Sequence, residues 1–132
     1  MGLIFEEECY AIFGACFAVQ NQMGSGFLEA VYQECLGIEL RKRGIPAIAQ
    51  PTLELEYSGQ RLTQTFKPDF ICYDQIILEI KAVETLADAH RSQVLTYLNV
   101  TKFPLGLLIN FGHHPGIENE RIVLTKPKSN AS

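Results

Sequence analysis

Positive charge is scarce in this chain. Eleven Lys and Arg stand against 15 Asp and Glu, for a formal net charge of −4. Proteins that coat nucleic acid through nonspecific backbone contacts need a large positive field, so the balance weighs against that class. It leaves room for an enzyme on nucleic acid, because acidic metal ligands add negative charge that a bound divalent cation offsets. Long apolar runs are missing too. None approaches the ~18 residues of a membrane span, and no membrane association is expected. The stretch from Met1 to Glu8 has neither a basic n-region nor a long apolar core, so no secretory signal is expected. The four cysteines, Cys9, Cys16, Cys35 and Cys72, show no Cys-x-x-Cys spacing. Structural zinc sites draw on close pairs, so these residues read as reduced core thiols of a cytoplasmic protein. There is no repeat, low-complexity tract or interdomain linker, and 132 residues suit a single core.

What is present is a change of period along the chain. Residues 3–22 carry Ile4, Ala11, Ile12, Ala15, Cys16 and Val19 at broadly helical spacing. Met23-Gly24-Ser25-Gly26 breaks the pattern, with Ser25 or Gly26 placed to cap a second helix over 27–43. Leu28, Val31, Cys35, Ile38 and Leu40 are expected to form its apolar face. Arg41-Lys42-Arg43 suits the last turn, Gly44 the stop, and Pro46 the segment beyond. From Thr52 the period becomes that of strands: Leu53 to Tyr57, Leu62 to Phe66, Phe70 to Tyr73, and Ile76 to Lys81, the last apolar enough to be central. Residues 84–99 return to helical spacing. Strands follow at 103–109 and 121–124, then a polar tail over 126–132. A right-handed crossover through the third helix would set strand 103–109 parallel to the central one. The expected architecture is a mixed α/β sheet with helices on its faces, in a single domain over residues 1–125.

One stretch carries candidate chemistry. Lys67-Pro68-Asp69-Phe70 precedes Leu78-Glu79-Ile80-Lys81, with ten residues from Asp69 to Glu79. Glu79 and Lys81, two apart on a strand, share a face. A two-residue loop at Asp74-Gln75 would pair Phe70 with Glu79. A three-residue loop, or a bulge, would set Asp69 opposite Glu79, close enough for both carboxylates to share a cation. The second register is favoured, although spacing alone does not decide it. Asp69 and Glu79 would give hard oxygen ligands to Mg²⁺ or Mn²⁺, with the Ile80 carbonyl as a further donor. Lys81 would act on water and phosphate. An ordinary cross-strand salt bridge would use the same three residue types.

The run Pro68-Asp69…Glu79-Ile80-Lys81 resembles the PD-(D/E)XK nuclease superfamily, with its restriction-endonuclease-like fold. Gly26-Phe27-Leu28-Glu29-Ala30-Val31-Tyr32 resembles the signature of the GxxExxY proteins, a small branch of that superfamily. The agreement continues through Lys81-Ala82-Val83-Glu84, Gln93-Val94-Leu95-Thr96-Tyr97-Leu98 and Gly106 to Gly112, over roughly residues 5–125. The resemblance implies a restriction-endonuclease-like mixed β-sheet flanked by α-helices. It also implies an Mg²⁺- or Mn²⁺-dependent nuclease acting on DNA or RNA, with Asp69, Glu79 and Lys81 as the catalytic trio. It adds Glu29 to the metal site and Gln93 beside it. A noncatalytic module of the same fold, binding nucleic acid or a protein, is the alternative, and a homodimer or a subunit of a larger assembly is compatible with the chain's size. Tyr32 could bond Glu29 or pack in the core, and Tyr97 reads as core. His90, His113 and His114 read as loop or surface residues rather than ligands.

Overall fold

The computed structural model describes residues 4–124; the tail over 126–132 lies outside the described residues. Ten elements follow in order: α1 (Glu6–Met23), α2 (Glu29–Lys42), β1 (Ala47–Ala49), β2 (Leu53–Tyr57), β3 (Gln60–Phe66), β4 (Phe70–Cys72), β5 (Ile76–Lys81), α3 (Asp88–Thr101), β6 (Leu105–Asn110) and β7 (Glu118–Val123). Five strands make one mixed sheet in the order β1-β4-β5-β6-β7. The α3 crossover sets β6 parallel to β5, as expected, and the other neighbours are antiparallel. This is the restriction-endonuclease-like α/β arrangement.

The core lies in two layers, because the central strands are covered on both faces. β4 and β6 are buried along their whole length, and β5 up to Ile80, which is why they read as nearly continuous apolar runs. Alternate residues part to opposite sides. Phe70, Cys72, Ile76, Leu78 and Ile80 meet α1 and α2 through Ile12, Cys16, Tyr32 and Leu36. Ile71, Ile77 and Leu108 meet Val94 and Leu98 of α3. Burying each such side chain contributes roughly 1.5–3 kcal/mol.

Several expectations change. β1 was not anticipated; its three residues, Ala-Ile-Ala, are too few to show a period. The hairpin β2–β3 is a separate two-stranded sheet rather than part of the main one. Its side chains are mostly exposed, an exposed ion pair links Arg61 to Glu54 at 3.1 Å, and Leu53 and Phe66 anchor its base. Helix α2 buries Tyr32, Leu36 and Leu40; of the expected stripe only Leu40 is fully buried. Leu28 is 80% exposed and Ile38 50%. Neither Ser25 nor Gly26 caps this helix; Leu28 stands at the cap position without a side-chain bond. α3 starts at Asp88, four residues later than expected, and β7 three residues earlier. Of the cysteines, Cys9, Cys16 and Cys72 are buried free thiols, while Cys35 is only half-buried. Burial pushes the Cys72 thiol up to about 12, so it is inert at neutral pH. Among the described residues, no helix is long and apolar enough to cross a membrane.

Candidate active site

The hairpin between β4 and β5 fixes the site. Phe70 lies opposite Leu78, Ile71 opposite Ile77 and Cys72 opposite Ile76. The connection is therefore the three residues Tyr73, Asp74 and Gln75, with the first two at positive φ. Continued one step, this register sets Asp69 against Glu79. Asp69 and Glu79 have the parity of Ile71 and Ile77, so both face α3.

Two reciprocal bonds lock the pair. The Asp69 backbone N–H donates to Glu79 Oε1 at 2.7 Å, and the Ile80 N–H donates to Asp69 Oδ2 at 2.8 Å. These bonds occur just beyond the β4–β5 ladder, where the carboxylates take over from backbone acceptors. One oxygen of each carboxylate is held in this way. The strand end is pinned from outside too, by Gln50 N–H donating to the Asp69 carbonyl at 2.9 Å.

The electrostatics are those of two crowded acids. Glu79 is 4% exposed. Burial, and then the charge of Asp69, push it up to about 8, against the bond from the Asp69 N–H and the charge of Lys81. Asp69 rises to about 6, mainly through burial, with Glu29 adding repulsion and the Ile80 N–H opposing it. Two carboxylates in one site cannot both ionise freely, so they titrate as a coupled pair.

Lys81 turns towards α3. Its Nζ donates to Gln93 Oε1 at 2.9 Å, and Gln93 Nε2 donates to the Tyr97 hydroxyl at 3.2 Å. Tyr97, expected to be plain core, thus ends a polar chain while its ring leans on Phe66 at 4.8 Å. Gly106 permits this approach of α3. A Cβ there would stand 2.4 Å from Val94 Cγ1, next in sequence to Gln93.

Glu29 opens α2 and is exposed, yet its charge raises both Asp69 and Glu79. Tyr32 does not bond it. The Tyr32 hydroxyl donates to the Gly24 carbonyl at 2.5 Å and accepts from the Phe27 N–H at 3.1 Å. Its fully buried ring stacks on Phe111, with centroids 4.7 Å apart. The Gly26…Glu29…Tyr32 spacing thereby fastens the loop that delivers Glu29. His90 Nδ1 accepts from the Ala87 N–H at the start of α3, and His113 Nδ1 bonds the Gly116 carbonyl.

Two positions were missed from the sequence. Asn110 is fully buried at the end of β6. Its Oδ1 accepts from the Val83 and Gly112 N–H groups, both at 3.0 Å, and its Nδ2 donates to Glu118 Oε1. Glu118 Oε1 also accepts from the Leu86 N–H. Together they tie the segment after Lys81 to β6 and β7. Gly112 completes the tie, since a Cβ there would lie 2.6 Å from backbone atoms of Ala82 and Val83. The available signal was a lone amide closing an apolar strand, which needs buried partners.

The donor set suits a hard divalent cation. Mg²⁺ commonly takes only one or two protein carboxylates and keeps several waters. Among the described residues, no three His, Cys, Asp or Glu side chains form a ready metal cluster, so the set consists of the Asp69–Glu79 pair with backbone oxygen. A cation there would offset the burial, and the lesser repulsion, that hold both acids above their ordinary range.

A mixed sheet that carries Pro-Asp and Glu-x-Lys side by side at the end of its central strand defines a nuclease-type fold. A family model of the PD-(D/E)XK nuclease superfamily matches residues 6–122, and the chain belongs to that superfamily. The crystal structure of SSO0001 is similar in fold, with a TM-score of 0.60 and 18% identity over 93% of this chain. The chain spans 61% of the length of that protein. No curated protein matches it.

Proposed function

We propose that the protein is a divalent-metal-dependent phosphodiesterase acting on DNA or RNA, within the GxxExxY branch. The observation that carries this reading is the reciprocal clasp of two carboxyl groups, half-buried Asp69 and buried Glu79, with Lys81 on the same face. Superfamily membership adds general support, since such nucleases use divalent metals. Asp69 and Glu79 would hold Mg²⁺ or Mn²⁺, with the Ile80 carbonyl as a further donor and Glu29 acting on the pair through its charge. The ion would supply charge neutralisation at the phosphate and a more acidic water. Lys81 would orient the attacking water and stabilise negative charge on the phosphate, and Gln93 would hold the Lys81 amine in place.

The test is hydrolysis of single- and double-stranded DNA and RNA with Mg²⁺ or Mn²⁺. We expect Lys81→Ala to lower the rate at least 10³-fold with the fold intact. Inert wild-type protein, or Lys81→Ala equal to wild type on every substrate, would refute the enzyme. A second reading, a noncatalytic module of the same fold, is favoured by the net charge of −4. Retained oligonucleotide or protein binding, without calorimetric Mg²⁺ or Mn²⁺ binding, would select it.

A further inference from the structure

The β2–β3 hairpin is an arm with both of its roots at the candidate site. Where the chain leaves β1, Gln50 stands at positive φ, and its N–H bonds the Asp69 carbonyl at 2.9 Å. Where the chain returns, β3 ends at Phe66, and Lys67 and Pro68 lead directly to Asp69. Between these points the two strands pair with each other and, among the described residues, with no strand of the main sheet. Every residue of β3 from Gln60 to Thr65 is exposed, and Phe66 alone is half-buried. Its ring is the contact through which β3 leans on the body of the molecule.

That contact falls on one side chain of α3. The Phe66 and Tyr97 rings lie 4.8 Å apart, with planes at 32°. Tyr97 in turn ends the polar chain that starts at Lys81. The ammonium donates to Gln93 Oε1 at 2.9 Å, and Gln93 Nε2 donates to the Tyr97 hydroxyl at 3.2 Å. An ammonium carries only donors, so it requires the oxygen of the Gln93 amide. This turns Nε2 away from Lys81, towards a place where it needs an acceptor. The Tyr97 hydroxyl supplies one only while its ring stays in the rotamer that reaches Gln93. Tyr97 is itself half-buried, and a ring with one side open has other staggered positions to visit. The face of Phe66 selects among them, because paired rings have a preferred geometry as well as buried area.

We propose that Phe66 is a positioning residue for Lys81, acting through Tyr97 and Gln93, so that the root of the β2–β3 arm sets the amine of the candidate site. The part Lys81 plays rests on the phosphodiester reading; the link from Phe66 to Lys81 does not. Phe66 stands three positions before Asp69. One short segment thus places the carboxylate through its main chain and the amine through its ring.

The test uses the full chain, labelled with ¹⁵N-lysine, in EDTA. In cold, mildly acidic buffer, proton–nitrogen spectra keep an ammonium that is bonded within the protein and lose those that exchange freely with water. Lys81→Arg identifies the Lys81 signal. Wild type is expected to show it, and Gln93→Ala to lose it. Phe66→Leu keeps apolar volume without the ring and should lose it too, while Phe66→Tyr should retain it. Ile122→Ala thins the same apolar layer without a place in the chain, and should lower Tm yet keep the signal. Absence of the signal from wild type, its persistence in Phe66→Leu, or its equal loss in Ile122→Ala would overturn the proposal. In the hydrolysis assay Phe66→Leu should lower kcat roughly 10²-fold with KM unchanged. The two readings fail separately. A Lys81 signal governed by Phe66 in a protein that cuts nothing keeps the positioning and removes the enzyme. Hydrolysis with kcat unaltered in Phe66→Leu keeps the enzyme and removes the positioning.

Discussion

Removing the ionisable group of Glu79 should stabilise the metal-free protein, increasingly as pH rises from about 4.5 to about 8. Glu79→Gln keeps an oxygen acceptor for the Asp69 N–H and abolishes ionisation. In the folded protein Glu79 is raised from 4.5 to about 8, chiefly by burial and then by Asp69. The folded state therefore holds a proton that the unfolded state has released. The stability this group contributes is complete below about pH 4.5 and is lost as pH rises through about 8. A displacement of that size corresponds to on the order of 5 kcal/mol above about pH 8. For a domain of this length that is on the order of 15 °C in Tm. Thermal unfolding by circular dichroism in EDTA, from pH 5 to pH 9, should give near-equal Tm values for wild type and Glu79→Gln at pH 5. The variant should lead by on the order of 15 °C at pH 9. Comparing the two proteins cancels the contributions of titrating groups outside the Asp69–Glu79 pair. Mn²⁺ should then raise the wild-type Tm at pH 8.5 and leave the variant unmoved. A Tm difference that stays constant across the pH range would refute the idea that two crowded acids define this site.

Three further outcomes follow from the packing. Asn110→Ala orphans the Val83 and Gly112 N–H groups and should cost roughly 2–4 kcal/mol in urea unfolding; a loss well under 1 kcal/mol would mean that water replaces the amide. Gly112→Ala forces a Cβ to within 2.6 Å of the Ala82–Val83 backbone and should cost about 1–3 kcal/mol in the same assay, whereas unchanged stability would show that the two segments separate freely. Tyr32→Phe removes the hydroxyl shared by Gly24 and Phe27 and should cost about 1 kcal/mol. Faster exchange of the Phe27 amide, read by hydrogen–deuterium exchange, would accompany it, and unaltered exchange would show that the stacked ring alone holds the loop.

What the sequence made legible depended on how local the signal was. The apolar run Ile76–Ile80 announced a central strand, and the ten-residue step from Asp69 to Glu79 allowed the register that the hairpin adopts. The face of α2 was misread because two apolar stripes compete there. Leu28, Val31, Cys35 and Ile38 lead one, Tyr32 and Leu36 the other, and Leu40, expected on the first, is buried with the second. Helical period cannot choose between them; the choice is made by Phe111, which lies 79 residues from Tyr32 in sequence and stacks on it. The separation of β2–β3 was hidden for a similar reason, since alternation identifies a strand but not its partner. Glu29 and Gln93 came from resemblance, because neither has a local pattern that distinguishes it from an ordinary helix residue. Gly106 and Gly112 matter through atoms of distant segments, and nothing next to them in the chain reports this.

The three-residue loop between β4 and β5 has a consequence for how this chain can vary. Shortening Tyr73-Asp74-Gln75 by one residue would move Asp69 out of line with Glu79. It would also carry Phe70 and Cys72 to the α3 side and Ile71 to the side of α1 and α2, exchanging a large ring and a small thiol for a branched aliphatic in each layer. An insertion or deletion there would thus be rejected by the core before any loss of chemistry was felt. Selection for a well-packed interior is enough to keep the two carboxylates aligned, so their alignment would outlast the loss of whatever reaction they serve.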